Sequence, residues 1–327
     1  MTSRAFAAAI LITCSISLGL SQAGPRRARL QAFANLPAVV QKALISTRIR
    51  YSGVRSVQFG AGPKSKTHVE IVRHDGDKTR IEFPANSPLG GQVIVEDSKQ
   101  RQQFFPRRNA IEILPPRNDV TMIRLAIFVN RALKQGWQIG LAGGEQIAGI
   151  NTEMAYVQDP KGQLRQKIWI DPNTGMILGR SIYNANGEVQ GSFRFSQIDY
   201  KPQIKAQDFV LNQPGAMVIT PAMKVNQLAT RNGFSPTMIR PETGYQLESV
   251  RMVKVSDDQA LSQVYSNETG KLSLFQLKQS VDPMLLKKIA NGRFKVYTWQ
   301  RNGETLALVG ELDERRLQEI ANQLEGA

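Results

Sequence analysis

Apolar and polar residues alternate in short runs over much of this chain, and that alternation predicts β-strands. Val69 and Ile71 have polar neighbours, residues 75–77 read Asp-Gly-Asp and turn the chain, and Ile81 and Phe83 follow on the return. This pattern is typical of a hairpin. The same alternation continues at Val93, Val95, Phe104, Ile111 and Ile113.

Later in the chain, apolar runs separated by Asp-, Asn-, Pro- and Gly-rich connections predict an antiparallel meander. In its last strand, Phe193 and Phe195 share one face while Ile198 and Tyr200 fall on the other. A β-bulge near Ser196 would explain the switch and would bend the strand. The strands are predicted at residues 137–141, 152–158, 164–170, 176–183 and 189–200.

Two stretches follow a helical period instead. Residues 25–50 repeat apolar positions beside a basic face, and residues 118–135 form a second predicted helix. Asn118 is a suitable cap for the second helix and Gly136 a suitable stop. This helix is apolar on nearly every side, so it should be sandwiched in the protein or cover an apolar hollow, which it either fills or leaves open.

The C-terminal third predicts a separate, compact α+β module. Residues 201–221 contain three prolines and predict a linker. Strands are expected near residues 243–255, 260–266, 271–278, 293–301 and 304–311, and a terminal helix at 313–324.

The N-terminus has the pattern of a secretory signal. Arg4 precedes an apolar stretch, residues 5–20, that is too short to span a bilayer comfortably. Ser21 and Ala23 supply the small residues at −3 and −1, which predicts cleavage after Ala23. Cys14 is the only cysteine, so the mature chain should contain no disulfide and no thiolate chemistry.

Positive charge is concentrated in the first part of the chain. The whole sequence has 42 Lys and Arg against 27 Asp and Glu, a net charge of +15. Residues 24–214 account for +12 of it and the remainder of the mature chain for only +2. An anionic partner should therefore meet the first domain, although the charge also serves solubility. Nucleic acid is not expected, because export argues against it and no recognition motif occurs.

The sequence offers little for catalysis. His68 and His74 would lie about 20 Å apart on one strand, too far to share a metal, and are interpreted as surface residues without a role. Asp171, Asn173 and Gly175 resemble the start of a calcium loop but lack its closing Glu, so a turn is favoured. No nucleophile with a base, no metal cluster and no cofactor motif remains, and we predict no enzyme, no metal and no cofactor.

Several motifs resemble the RseB/MucB family, periplasmic regulators of the envelope-stress sigma factor. Residues 167–178 read Lys-Ile-Trp-Ile-Asp-Pro-Asn-Thr-Gly-Met-Ile-Leu, and Phe193-Arg-Phe195 follows after Asn186-Gly187. In the C-terminal module, residues 264–266 and 272–275 resemble the family's paired strands, and residues 307–321 its closing strand and helix.

The resemblance implies a mainly β, α+β protein. Its first domain would be a curved, antiparallel, unclosed β-barrel with covering helices, similar to the LolA-like lipoprotein-carrier fold, followed by a smaller C-terminal α+β domain. It also implies a periplasmic protein that senses lipid and binds a membrane anti-sigma factor. The predicted boundaries are 1–23 for the signal peptide, 24–214 for the LolA-like domain, 215–221 for the linker and 222–327 for the partner-binding domain.

Three functions compete on this evidence. The first is a regulator in the envelope stress response that takes an acyl-chain lipid or lipoprotein in the hollow and an anti-sigma factor on the second domain; peripheral membrane contact is compatible with it. The second is a periplasmic lipid or lipoprotein carrier without an anti-sigma partner, and the third is a structural protein whose helix fills the sheet. Candidate hollow-facing positions, each with ordinary core packing as the alternative, are Val69, Ile71, Ile81, Phe83, Val93, Val95, Ile111, Ile113, Ile123, Ile127, Phe193 and Phe195.

Overall fold

A computed structural model describes residues 36–46, 48–116, 129–255, 258–267, 270–278 and 294–326. It divides into two compact units. The first unit contains Met1–Asn109 and Asp119–Gly215, and the second contains Ala110–Asn118 and Ala216–Ala327. The predicted signal peptide and the first part of the predicted N-terminal helix lie outside the described residues.

Strands dominate the described chain. The helices are α1 (Ala38–Ile45), α2 (Pro221–Arg231) and α3 (Glu314–Ala321), and residues 129–134 are also helical. The strands are β1 (Tyr51–Phe59), β2 (Lys66–Asp75), β3 (Lys78–Glu82), β4 (Val93–Glu96), β5 (Arg101–Phe105), β6 (Ala110–Leu114), β7 (Gln138–Ala142), β8 (Gln146–Ile147), β9 (Ile150–Asn151), β10 (Glu153–Gln158), β11 (Leu164–Ile170), β12 (Ile177–Tyr183), β13 (Val189–Asp199), β14 (Met217–Ile219), β15 (Thr237–Ile239), β16 (Gln246–Val255), β17 (Asp258–Ser266), β18 (Lys271–Leu277), β19 (Lys295–Arg301), β20 (Glu304–Gly310) and β21 (Leu324–Gly326).

The first unit is built on one curved antiparallel sheet that does not close into a barrel. Its strand order is β5-β4-β3-β2-β1-β13-β12-β11-β10-β7, so neighbours in sequence are mostly neighbours in space. The tight turns fall at the Gly-containing connections, for example at Gly76 between β2 and β3, where φ is +67°. The predicted mainly β, unclosed fold with its meander is confirmed.

A bulge bends β13 where the change of apolar face predicted one. Val54 pairs with Gln197 and Arg55 with Phe195, which leaves Ser196 as the extra residue on β13. Gly53 stands opposite this bulge, and a Cβ there would lie 2.6 Å from the carbonyl oxygen of Gln197. The bulge therefore requires a residue without a side chain on the neighbouring strand.

Helices cover one part of the first unit's sheet. Helix α1 and residue Val129 pack against strands β10 and β11, and Gly136, with φ of +86°, follows the helical residues 129–134 as the predicted stop. The part of the predicted helix before Val129 lies outside the described residues. The shared core contains Leu36, Val39, Val40, Ala43, Leu44, Ala155, Val157, Ile168, Ile170 and Ile177.

The second unit is an α+β module around a five-stranded antiparallel sheet of order β16-β17-β18-β20-β19. Helix α3 starts at the predicted position, because the Asp313 side chain accepts from the Arg316 amide. Helix α2 was not predicted from the sequence; it begins after Thr220, whose hydroxyl accepts a hydrogen bond from the Met223 amide.

Residues 215–221, expected as a linker, contain strand β14 and the first residue of α2. Strand β14 pairs in parallel with β6.

Buried amides hold the segment around β15 to this sheet. Gln263 Nε2 donates to the Thr237 carbonyl at 2.8 Å, and Gln276 Nε2 donates to the Ser235 carbonyl at 2.8 Å. The Glu304 carboxylate accepts from the Ser235 amide at 2.6 Å and from Gln276 Nε2 at 3.0 Å. We call Gln263, Gln276 and Glu304 the amide network; both glutamines are fully buried.

Candidate functional site

Cross-strand pairs in the first unit identify one face of the sheet as the interior. Directly paired residues of antiparallel strands point to the same side. Glu70 pairs with Arg55, and Arg55 pairs with Phe195, while Val72 pairs with Ile81. We call this the inner face; it carries Tyr51, Arg55, His68, Glu70, Val72, His74, Ile81, Phe83, Ile94, Phe193 and Phe195.

Only some of the candidate hollow-facing residues lie on the inner face. Ile81, Phe83, Phe193 and Phe195 do, and they belong to one apolar cluster. Ile111 and Ile113 lie on β6 in the second unit, where Ile111 pairs with Val218 of β14. Ile123 and Ile127 lie outside the described residues.

The expected side is wrong for the four remaining valine and isoleucine positions. Val69 and Ile71 point away from Val72, and Val69 is 39% exposed. Val93 and Val95 pair with Glu82 and Arg80, on the face opposite Ile81. The alternation was detected correctly, but the buried side of β2 is the one with the polar residues. A one-residue change of phase reverses every side chain of a strand.

A buried ionic network occupies the centre of the inner face. The Glu70 carboxylate accepts from Arg55 Nε at 2.7 Å and lies 3.0 Å from His68 Nε2. All three side chains are at most 8% exposed. The interpretation of His68 and His74 as surface residues is therefore wrong, since both are buried. The charges of Arg55 and Glu70 and the imidazole of His68 can be buried here because each forms a hydrogen bond or ion pair with another member of the network.

Aromatic rings enclose this network. The His68 ring stacks on Phe59 at 5.4 Å between centroids and contacts Phe83 at 5.3 Å. The Arg55 guanidinium lies over Phe193 at 5.4 Å and over Phe195 at 5.8 Å. The rings exclude water from the Arg55–Glu70 pair and give the guanidinium a favourable π face.

The charges in the network determine the ionisation of Glu70. Burial by itself raises the pKa of this carboxyl, but the Arg55 charge and the hydrogen bonds from His68 and Arg55 outweigh burial, and the pKa of Glu70 lies below its ordinary value. The neighbouring Tyr51 is fully enclosed, and burial raises the pKa of its hydroxyl. Glu70 is therefore an engaged carboxylate whose two oxygens are occupied, and not a base available to a substrate.

Further polar pairs continue across the buried sheet positions. His74 Nδ1 lies 3.0 Å from the Thr79 hydroxyl, and Arg180 Nη2 donates to Gln166 Oε1 at 2.9 Å. All four residues are at most 7% exposed. These groups were missed in the sequence because polar residues on an alternating strand are ordinarily assigned to solvent.

The calcium-like motif forms a turn, as favoured from the sequence. Asp171 is 2% exposed, and its carboxylate accepts from the Asn173 amide, the Thr174 hydroxyl and the Tyr200 hydroxyl. Burial alone would raise the pKa of Asp171. The hydrogen bonds from these donors outweigh burial, so the pKa of Asp171 lies below its ordinary value. No group of His, Cys, Asp or Glu in the described ranges is arranged to hold a metal ion.

Among the described residues, no helix is both long and apolar enough to cross a membrane. On the inner face, Ile81, Phe83 and Phe195 are buried and Phe193 is partly buried beside the ionic network.

Comparison with known proteins gives one family match. Residues 86–212 match the MucB/RseB N-terminal domain. No curated protein matches this sequence.

Several solved structures are similar to the chain. A crystal structure of MucB is 14% identical, with a TM-score of 0.42, and covers 90% of this chain and 98% of its own. The Pseudomonas aeruginosa MucA/MucB complex is 15% identical, with a TM-score of 0.41 and coverage of 88% and 97%. A LolA superfamily protein from Nitrosomonas europaea is 13% identical, with a TM-score of 0.28 and coverage of 53% and 96%.

The matched segment begins after β3 and includes every later strand of the first unit's sheet, together with the Phe193 and Phe195 motif. The resemblance carried by residues 167–178 and 193–195 is thereby confirmed, because both motifs lie in the segment 86–212 that matches the MucB/RseB N-terminal domain.

Proposed function

We propose that this chain is an exported, non-enzymatic regulator of the MucB/RseB type. It would act in the periplasm, bind a membrane anti-sigma factor and respond to an acyl-chain lipid or lipoprotein, and so control the envelope stress response. The observation that carries the proposal is the match of residues 86–212 to the MucB/RseB N-terminal domain. The occupied carboxylates of Glu70 and Asp171 support the non-enzymatic part.

For the lipid, we propose a contact at Phe193, the partly buried ring of the apolar cluster on the inner face, beside the buried Phe83 and Phe195. The ionic network beside it needs no ligand, because Arg55 and Glu70 already satisfy each other. The driving force would be transfer of the alkyl chain from water. Each buried methylene contributes about 0.8 kcal/mol, so a chain of about a dozen carbons contributes on the order of 10 kcal/mol before ordering costs.

A fluorescent fatty acid titrated into the mature full-length chain tests this contact. We expect saturable binding that Phe193→Ala weakens about tenfold, since Phe193 is only partly buried and its removal leaves the ionic network paired. Phe294→Ala, in the second unit and 36% exposed, is the matched control and should leave the affinity unchanged. Absence of saturable binding by the parent chain would exclude lipid sensing.

For the protein partner, the second unit offers an exposed apolar surface. Met217, Val218 and Met223 are 56%, 49% and 46% exposed, and they lie on β14 and at the start of α2. Strand β14 stands at the end of its strand order, so one of its sides is unpaired in the described chain. An unpaired edge with apolar side chains is suited to receiving an extended segment of another protein.

Isothermal titration with the soluble periplasmic segment of the organism's own single-span anti-sigma factor tests this contact. We expect a complex that Val218→Lys weakens about tenfold. Val210→Lys, at a 61% exposed site in the first unit, is the control and should bind as the parent does. Lipid binding without any complex would contradict the regulator and favour the carrier function.

A further inference from the structure

We propose that one end of the first unit's sheet docks on the surface of an anionic phospholipid bilayer. We call it the basic end and define it by the turns at 60–65, 106–109 and 159–163, with Gly136 after the helical residues. The inner face lies along the strands and the basic end lies at their tips, so this inference goes beyond the lipid and protein contacts proposed above.

The strand pairing brings these turns together. Phe59, the last residue of β1, pairs with Lys66, the first residue of β2, and lies opposite Gly191 near the start of β13. Val93 at the start of β4 pairs with Phe104 near the end of β5, so β5 also finishes at this end. The turn between β10 and β11 completes the set: a Cβ at Gly136 would lie 3.5 Å from Pro160.

Exposed cations and one aromatic ring gather on the basic end. Lys66, Arg107, Lys134 and Lys161 are exposed, and none of them forms an ion pair within the described residues. Phe59 is 58% exposed and stacks on His68, which fixes the ring at the tip of the β1–β2 hairpin. An aromatic ring beside lysine and arginine is the composition of a surface that sits at a membrane interface.

Acidic groups hardly offset this charge. The basic end carries Asp159, which is bound to Arg165, and Glu188, which accepts a hydrogen bond from Asn184. Glu82, at the end of β3, is paired with Arg73 and Arg80. The opposite end of the strands is different, because acidic residues stand in or beside its turns. They are Asp75, Asp77, Asp97, Glu145 and Asp171, near Lys78, Lys99 and Lys201.

The spread of the cations favours a bilayer over a small ligand or an acidic peptide. Arg107 follows β5 and Lys161 follows β10, eight strand spacings apart in the sheet order, or about 38 Å along the sheet edge. A single headgroup is too small to contact all the turns spread along this edge. Charges on separate hairpin tips fit a broad anionic surface.

The dimensions of the sheet make the inference testable by charge reversal. Strand β1 has 9 residues and spans about 30 Å, whereas charges in physiological salt are screened within about 8 Å. Charges at the opposite end therefore do not feel a membrane held at the basic end. Each cation near an anionic bilayer contributes about fivefold to affinity.

The experiment is co-sedimentation of the mature full-length chain with vesicles of phosphatidylglycerol and phosphatidylcholine, and with phosphatidylcholine alone. The test variant is K66E/R107E/K161E. The matched control, K78E/K99E/K201E, changes the net charge equally at the opposite end. We expect the test variant to lose at least about thirtyfold in affinity for anionic vesicles and the control less than about threefold, with both variants unfolding at the parent temperature.

Three outcomes would overturn the proposal: no binding of the parent chain, equal losses in both variants, or equal binding to neutral vesicles. Retained vesicle binding by the test variant, together with lost binding to the anti-sigma segment in solution, would instead identify the basic end as a protein contact. Phe59→Ser should weaken vesicle binding about threefold. Because titration with the anti-sigma segment needs no vesicles, failure here leaves the proposed regulator function independently testable.

Discussion

The two units bury polar groups in different ways. In the first unit, the sheet interior holds an ionic network in which Glu70 serves both Arg55 and His68. In the second, the amide network uses Gln263 and Gln276 to bind carbonyl oxygens of the β15 segment. Both networks are buried and hydrogen-bonded, but only the first depends on a pair of opposite charges for its integrity.

This difference predicts different responses to mutation and to pH. An ionic network loses a large amount of stability when one partner is removed, because the remaining charge stays buried. Removing a glutamine from the amide network breaks hydrogen bonds but takes away no charge, which costs less. The stability of the first unit should therefore follow the ionisation of its interior more closely than the stability of the second unit does.

The largest effect is expected from Glu70→Gln. The substitution keeps the shape but leaves the buried Arg55 without its counter-charge, so the free energy of unfolding should fall by about 3 kcal/mol at pH 7. Urea denaturation measures it. Glu145→Gln breaks the exposed pair with Arg194 in the same unit and should cost less than about 1 kcal/mol. Equal costs would show that the inner face is open to water.

A smaller effect is expected from Gln276→Leu in the second unit. The change removes the donors to the Ser235 carbonyl and to Glu304, which should lower the free energy of unfolding by about 2 kcal/mol. Gln300→Leu is the control, because the Gln300 side chain is exposed and its amide donates to the Thr305 hydroxyl. It should change the free energy of unfolding by less than about 0.5 kcal/mol. A loss above that of Glu70→Gln would reverse the comparison.

Acid should separate the two networks next. The folded pKa of Glu70 lies below its unfolded value, so its contribution is present above about pH 4.5 and is lost as pH falls through the folded pKa. The stability difference between parent and Glu70→Gln should therefore shrink between pH 7 and pH 3. Gln276→Leu removes no charged group, so its difference from the parent should change less. Parallel behaviour of both variants in urea titrations at the two pH values would contradict this.

The smallest effect concerns the two faces of β2. Val69→Thr, on the exposed face, should alter stability by less than about 0.5 kcal/mol. Val72→Thr, which places a hydroxyl at a 1% exposed position on the inner face, should cost about 1–2 kcal/mol. Thermal unfolding of the two variants compares them directly. A larger cost at Val69 would mean that the face expected from the sequence is the buried one.

The pattern of residues along the chain was sufficient for most of the fold. The hairpin at Asp75–Gly76–Asp77, the end of a helix at Gly136 and the bulge at Ser196 follow from local chemistry that acts within a few residues. The start of α3 at Asp313 follows from its capping side chain. Helix α2 was not found, although Thr220 and Pro221 carry a start signal, because its apolar face is interrupted by polar residues.

The family match was also contained in the sequence, since residues 167–178 and 193–195 lie within the matched segment 86–212. The side that β2 buries was not contained in it. The apolar Val69 faces outward and the charged Glu70 inward because Arg55, on the neighbouring strand β1, and His68, on the same strand, supply its partners. Burial of a charge depends on the groups that surround it in space, and strand pairing alone brings those groups together.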